Sequence, residues 1–301
     1  MINILRFNVY IPSSLEDALE FLKREGVEAA PMAGGTDLLV LMRDGVKRPR
    51  KVLDLWPLRR ELAFVKRGDG WVRIGALTTI EELNASGLAR DRRYLGFMDA
   101  YKQFGAPYLR AIATVGGNIG TAHPLSDVVI LLLALDAEVR LVSVDGERWV
   151  PLSKLFRGKR ETVLTPTELI TEVRFKETPK GSSTVLLKFD RRWGHSMGYV
   201  IVGAYMHLDG GRIADVRLAF DSMGEPYPGR AFKTEDFLKG KEFRSEVISE
   251  ACSNVLPREM RRIDDYRASA EYRLDLSKVL MKRALLKIKS RIEGGEAYGG
   301  S

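Results

Sequence analysis

Residues 110–127 read RAIATVGGNIGTAHPLSD, a basic and apolar lead into two adjacent glycines, an asparagine and a third glycine, closing on Ser126-Asp127 before an apolar run. Adjacent glycines lack Cβ, so the backbone reaches conformations closed to other residues and comes close to a bound group. Successive amide N–H groups in such a turn form a small cationic nest suited to a phosphate. Thr114 and Asn118 add side-chain donors beside it. Alone, the pair reads as a tight turn between strands. Residues 31–38, PMAGGTDL, repeat the design: apolar lead, Gly-Gly, hydroxyl, carboxylate, apolar run. Two nests in one domain suit the two phosphates of a dinucleotide.

Other nucleotide sites have no support. No G-x-G-x-x-G pattern marks a Rossmann site and no G-x-x-x-x-G-K-[ST] pattern marks a P-loop. The single cysteine, Cys252, excludes an internal disulfide and a cysteine-ligated iron–sulfur or zinc site built from this chain alone. His123, His195 and His207 are far apart and lack metal-ligand spacing. No serine or cysteine sits in a nucleophile elbow. The net charge is +8, with basic clusters at 47–51, 157–160 and 258–262. None is interleaved with aromatic residues as a nucleic-acid platform would be, so each reads as a solvated surface. The longest apolar run, residues 128–135, is too short to span a bilayer, and no signal peptide is visible, so a cytoplasmic protein is expected.

Patterning predicts a strand over 2–10, then a helix capped by Ser13-Ser14, with Leu15, Ala18, Leu19 and Leu22 on one face and Gly26 at its end. Residues 38–42 are helical or extended, and 51–55 form a strand. A Gly-Asp-Gly turn joins two alternating runs after Leu62. Thr79 caps a helix through Leu83, and one helix is expected over 95–108. Ser126 or Asp127 caps the buried apolar helix that follows. A hairpin over 138–144 and 148–150 and a strand over 169–176 come next. Strands at 184–190, 200–208 and 213–220 precede helices at 234–238, 244–254 and 276–291. The glycine-rich tail is expected to be flexible.

The motif AGGTD followed much later by ATVGGNI resembles the signature of the FAD-binding medium subunit of the molybdenum hydroxylases. That family includes bacterial carbon monoxide dehydrogenase, aldehyde oxidoreductases and xanthine dehydrogenase. RIGALTTIEEL, PYPGRAFKTEDFLKGK and YRASAEYRLDLSKVLMKRAL are similar to further family segments, so the resemblance covers nearly the whole chain. It implies an α+β protein. A two-lobed FAD-binding domain of the vanillyl-alcohol-oxidase type would cover 1–178, with lobes about 1–57 and 58–178. An α+β domain of antiparallel sheet with helices on one side would cover 179–291, and a tail 292–301.

The resemblance assigns FAD to Pro31, Met32, Ala33, Gly34, Gly35, Thr36, Asp37 and Leu38, and to Thr114, Val115, Gly116, Gly117 and Asn118. It adds Asp127, nine residues after Asn118, an aromatic beside the cofactor at Phe104, and flavin-ring contacts at Ile170 and Lys188. Each has a plainer alternative: Asp127 as a helix cap, Phe104 as a core residue, and Lys188 as a surface lysine in the strand LLKFD. A cation near the flavin N1 edge stabilises the reduced ring. Residues 191–198 (RRWGHSMG), which include His195, are less typical of the family and are expected to border the flavin edge or a partner.

By resemblance the chain is the electron-transferring FAD subunit of a heterotrimer. A large molybdopterin subunit would oxidise an aldehyde, purine or similar substrate. A small subunit with two [2Fe–2S] clusters would pass the electrons on, and an external acceptor would remove them. A stand-alone FAD oxidase or reductase of the same fold and a non-enzymatic nucleotide-binding module are the alternatives. The missing cysteine cluster weighs against a benzoyl-CoA-reductase-like member.

Overall fold

The computed structural model describes residues 6–192, 196–221, 228–261 and 263–294. The start of the expected first strand, residues 193–195, and the glycine-rich tail past Gly294 lie outside them.

The chain opens with β1 (Asn8–Tyr10) and α1 (Leu15–Glu25). Ser14 caps α1 by accepting the Asp17 amide at 3.1 Å. Glu16 and Asp17 lie in its first turn and Lys23 and Arg24 in its last, each sign opposing the helix dipole. Gly26 ends it at φ 52°. Next come β2 (Ala29–Met32), α2 (Leu38–Arg43), β3 (Lys51–Asp54) and the short α3 (Arg59–Leu62). The three strands form a parallel sheet in the order β1-β3-β2. Ala18, Leu19, Phe21 and Leu22 of α1 pack with Leu53, Leu55, Leu58 and Leu62, and this core continues to Leu77 and Leu169.

The second unit is a five-stranded antiparallel sheet whose strands lie in the order Val65–Gly68, Trp71–Gly75, Leu169–Lys176, Glu138–Ser143, Gly146–Pro151. The hairpin β4 (Val65–Gly68) and β5 (Trp71–Gly75) turns at Asp69 and Gly70, with φ 53° and 76°. Four helices follow: α4 (Ile80–Ala85), α5 (Gly96–Gln103), α6 (Pro107–Ile112) and α7 (Val115–Gly120). Thr79 and Glu82 form a capping box on α4. The single helix expected over 95–108 is two. Gly105 takes φ 44°, and Ala106 is extended before Pro107, which opens α6.

Helix α8 (Asp127–Ala134) is buried along its whole length. Each fully buried Leu, Ile or Val of this kind contributes about 1.5–3 kcal/mol. Strands β6 (Glu138–Ser143) and β7 (Gly146–Pro151) lead to a small hairpin absent from the sequence reading, β8 (Phe156–Gly158) and β9 (Glu161–Thr162). The chain returns to the middle of the large sheet as β10 (Leu169–Lys176).

A four-stranded antiparallel sheet then forms from β11 (Ser182–Phe189), β12 (Val200–Asp209), β13 (Arg212–Phe220) and the two-residue β14 (Gly229–Arg230). Helices α9 (Phe232–Leu238), α10 (Ser245–Glu250) and α11 (Ala270–Ile292) follow. α10 widens into a π turn over Ala251–Val255. The sequence places helices on one side of this sheet. The structure buries both faces: α11 packs on β11 and β12, while α5 and α8 of the preceding unit cover β11, β12 and β13 as well. Gly203 makes the close approach workable, since a Cβ there would lie 2.7 Å from the Ile130 carbonyl oxygen on α8.

Candidate cofactor site

The first glycine stretch leaves the parallel sheet at Met32 and enters α2 at Leu38. Gly35 sits at φ 69°, a region that only glycine enters freely. Gly34 lies against α6, where a Cβ would fall 1.7 Å from the Ile112 carbonyl oxygen. The amides of Ala33, Gly34, Gly35, Thr36 and Asp37 donate to no acceptor among the described residues. The stretch is part-exposed. A loop of free, similarly placed amides has the character of an anion cradle.

The second stretch differs from the nest expected of it. Thr114 is an N-cap, and Val115, Gly116 and Gly117 form the first turn of α7. Their amides are already satisfied. Val115 donates to the Thr78 carbonyl at 2.9 Å, Gly116 to Ala76 at 2.7 Å, Gly117 to the Thr114 hydroxyl at 3.1 Å, and Asn118 to the Thr114 carbonyl at 2.9 Å. Gly116 is glycine for packing: its Cβ would lie 2.6 Å from the Ala76 Cβ. Val115 is in the core. Gly117 faces outward, and its Cβ would come 3.7 Å from the Ala33 Cβ. The two glycine stretches therefore abut, one contributing free amides and the other an exposed, Cβ-free surface.

A charged tie holds them. The Asp37 carboxylate accepts Thr121 Oγ1 at 2.8 Å and Arg160 Nη1 at 2.7 Å, with Arg160 Nη2 at 3.3 Å. Burial alone would raise the Asp37 pKa, but the Arg160 and Thr121 hydrogen bonds hold it below the ordinary carboxylate value. His123 lies in the same corner. Burial and the charge of Arg160 depress its pKa to about 4, so it is neutral at pH 7, with Nδ1 accepting the Leu125 amide. In sequence, Arg160 reads as surface charge in a basic cluster. Nothing in a local window signals its partner 123 residues away.

Asp127 and Lys188 form a second group. Lys188 is not a surface lysine: its side chain is 4 % exposed, with Nζ 3.3 Å from Asp127 Oδ2 and 3.5 Å from the Gln103 carbonyl. Burial raises the Asp127 pKa to about 6 even though Lys188 opposes the shift. Asp127 is the first residue of α8 and neither it nor Ser126 makes a side-chain cap. Phe104 ends α5 just past Gln103, part-buried against the main core. Ile170 lies on β10 beneath α7, its Cδ1 3.6 Å from where a Gly120 Cβ would stand. The backbone bulges beside it, between Ile170 and Glu172. His195 and its neighbours 193–195 lie outside the described residues.

These residues fit a large polar cofactor. Asn118 Oδ1, Ser126 Oγ and Asp127 Oδ1 are buried without a partner among the described residues, an arrangement costly unless a ligand completes it. They sit on α7 and at the head of α8, which pack on each other. Open surface cavities lie elsewhere, one beside Trp71, Trp149 and Arg174 and one beside Arg67 and Leu88. An elongated cofactor lying along a seam of free amides and orphaned polar atoms needs no deep closed cavity. No cluster of metal-ligating side chains occurs among the described residues.

Comparison with known proteins agrees with this fold and identifies FAD as the cofactor. Residues 5–176 match the family described as the FAD binding domain in molybdopterin dehydrogenase, and residues 186–288 match the CO dehydrogenase flavoprotein C-terminal domain. The chain is 31% identical to the glyceraldehyde dehydrogenase medium chain of Sulfolobus acidocaldarius, over 94% of this chain and 98% of that one. It is 28% identical to the nicotinate dehydrogenase FAD-subunit of Eubacterium barkeri, over 96% and 98%. Among solved structures, carbon monoxide dehydrogenase from Hydrogenophaga pseudoflava superposes with a TM-score of 0.89 at 28% identity, covering 95% of this chain and 98% of that chain. The chain belongs to the FAD-binding medium subunits of the molybdenum hydroxylases.

Proposed function

We propose that this chain is the electron-transferring subunit of a three-chain molybdenum hydroxylase, working in the cytoplasm. Its large partner would hold molybdopterin and oxidise an aldehyde or similar substrate, and its small partner would hold two [2Fe–2S] clusters. The observation that carries this reading is end-to-end correspondence with proteins named as a medium chain and an FAD-subunit, each matched over 98% of its length. The aldehyde rests on the first of these, named for glyceraldehyde.

When bound, FAD accepts electrons one at a time, stores two and releases them to an acceptor. The chain's own residues bind and orient it. The free amides of 33–37, with Gly35 in its left-handed conformation, would cradle the pyrophosphate. Pro31, Met32 and Leu38 shape the edges of this loop. Gly117 leaves room for close approach, with Thr114, Val115 and Gly116 fixing the turn beneath it. Asn118 and Asp127 direct unpartnered oxygens to cofactor hydroxyls or amides. Phe104 and Ile170 would pack against the ring system, and Lys188 would supply positive charge beside it.

The test is anaerobic mixing of the isolated, FAD-loaded chain with aldehydes and purines, followed at the flavin absorbance. No substrate should bleach it, whereas dithionite should, and a dye or oxygen should restore the colour. Adding the large and small chains should make bleaching depend on the aldehyde. Rapid bleaching by one substrate with no other protein present would refute the subunit reading and favour a stand-alone flavin oxidase or reductase.

A further inference from the structure

We propose that Arg160 is a positioning residue of the FAD site, neutralising Asp37 so that the first glycine stretch accepts a phosphate, and fixing that stretch against α7. This rests on the reading of residues 33–37 as the pyrophosphate cradle.

Asp37 closes the stretch whose amides are free, so a full negative charge stands beside the expected anion site. Left alone, that carboxylate would repel a pyrophosphate. The Arg160 fork removes the conflict with two contacts, at 2.7 and 3.3 Å. His123 cannot do the same, because it is uncharged at neutral pH.

Backbone strain marks the same spot. The described non-glycine residues at positive φ are Asp69, Ala122, Asp136 and Arg160. Aspartate tolerates that region, whereas alanine and arginine are uncommon there. Ala122 (φ 46°) and Arg160 (φ 63°) are joined directly, the Arg160 amide donating to the Ala122 carbonyl at 2.9 Å. Thr121, the preceding residue, donates to Asp37. Two strained residues, a carboxylate and a guanidinium thus link the β8–β9 turn, the end of α7 and the first glycine stretch. Strain of this kind persists where surrounding structure over-determines it, commonly at ligand clamps.

The experiment titrates FAD into flavin-stripped wild type, Arg160→Met, Arg160→Lys and the Arg160→Met/Asp37→Asn double variant. Flavin fluorescence gives Kd, and the thermal midpoint of each stripped protein is measured in parallel. We expect Arg160→Met to raise Kd by about ten-fold or more. Arg160→Lys, which keeps the charge but not the fork, should fall between it and wild type. The double variant should recover most of the affinity, because it removes the unpaired carboxylate as well; a purely structural role would instead make Kd follow the thermal midpoint of the stripped proteins across all four. Arg160→Gln carries the same expectation if the methionine variant does not fold. A Kd for Arg160→Met within about two-fold of wild type would overturn the inference, as would a double variant no better than the single one. Wild type that takes up no FAD would overturn the cradle itself, so the two failures are distinguishable.

Discussion

Lys188 reaches across from the C-terminal sheet to place its ammonium 3.3 Å from Asp127 at the head of α8. Both side chains are withdrawn from water, at 4 % and 7 % exposure. A pair this deeply buried is costly to assemble and costlier to break from one side. It stands where β11 meets α8, and Asp127 Oδ1 and the adjoining Ser126 Oγ are buried without a partner among the described residues, which argues for a ligand-facing role over a purely structural one.

The two charges should act on the flavin with opposite sign. Lys188→Met removes a cation that favours the negative reduced state and should lower the midpoint potential, while Asp127→Asn removes an anion and should raise it. Shifts on the order of tens of millivolts are expected. The effects should not add. Without Lys188 the buried carboxyl takes up a proton, so the double variant should sit near Lys188→Met. Spectroelectrochemical titration of the loaded proteins reads all four potentials. That proton offsets part of the lost cation, so the placement is read from Lys188→Met against Asp127→Asn, in both of which the carboxylate charge is gone: equal potentials in the two would remove Lys188 from the flavin edge.

Asp127 also sets a pH dependence in the flavin-free protein. Its folded pKa, about 6, lies above the ordinary value of 3.8, mainly through burial. The fold therefore favours the protonated form. The stability this group contributes is fully present below about pH 4 and is lost as pH rises through about 6, a difference on the order of 3 kcal/mol. Asp127→Asn cannot titrate. Wild type should thus lose ground to it between pH 4 and 7 in paired urea denaturations. A flat difference across that window would show that Asp127 is not shifted upward.

Much of this fold is written locally. The Ser14 cap and Gly26 stop of α1, the Asp69-Gly70 turn and the all-apolar α8 depend on neighbours in sequence. The two glycine pairs show where local reading ends. Similar letters give a free amide loop at Gly34-Gly35 and a capped helical turn at Gly116-Gly117. The difference comes from the Ala76 and Thr78 carbonyls of a distant segment, which take the second pair's neighbouring amides. Lys188 alternates with apolar residues and so resembles a solvent-facing strand position. That face of the sheet is covered by α5 and α8, a tertiary fact. Arg160 was hidden in a basic run for the same reason. The break at Gly105 was legible, since glycine and a following proline both interrupt a helix, but the apolar spacing on either side masked it.

The glycines of α7 should separate packing from binding. Gly116→Ala forces a Cβ to 2.6 Å from Ala76 Cβ and 2.8 Å from its carbonyl oxygen, so the flavin-free protein should lose about 1–3 kcal/mol. Gly117→Ala meets only the Thr114 hydroxyl at 2.8 Å and the Ala33 Cβ at 3.7 Å. Its helix propensity gain of about 1 kcal/mol offsets that contact, leaving stability near wild type. Gly117→Val, with branched bulk on the exposed surface, should then lose FAD while circular dichroism stays native. Full flavin occupancy in a folded Gly117→Val protein would exclude this surface from the cofactor site.

The domain seam has its own lock. Asp99 on α5 accepts Nη1 and Nη2 of Arg291 at 2.8 Å each, though 192 residues separate them. Arg291 Nη1 also reaches the Thr184 carbonyl at 2.6 Å, and the Asp99 carboxylate takes the Leu186 amide at 3.2 Å. One guanidinium thus ties the final helix to the FAD-side helix and to β11. Among the described residues, Arg291→Met leaves the buried Asp99 carboxylate only Lys287 Nζ, at 3.5 Å, as a cation and should cost up to about 3 kcal/mol. Arg291→Met/Asp99→Asn removes that charge and should be less destabilised than the single variant, since asparagine still accepts the Leu186 amide. Because Lys188 follows on the same strand, loosening β11 should also weaken FAD retention in Arg291→Met. Urea denaturation monitored by circular dichroism, with flavin release followed in the same samples, measures both. A single variant that unfolds at the wild-type urea concentration would mean that apolar packing of α5 and α8 on the sheet, and not this ion pair, holds the domains together.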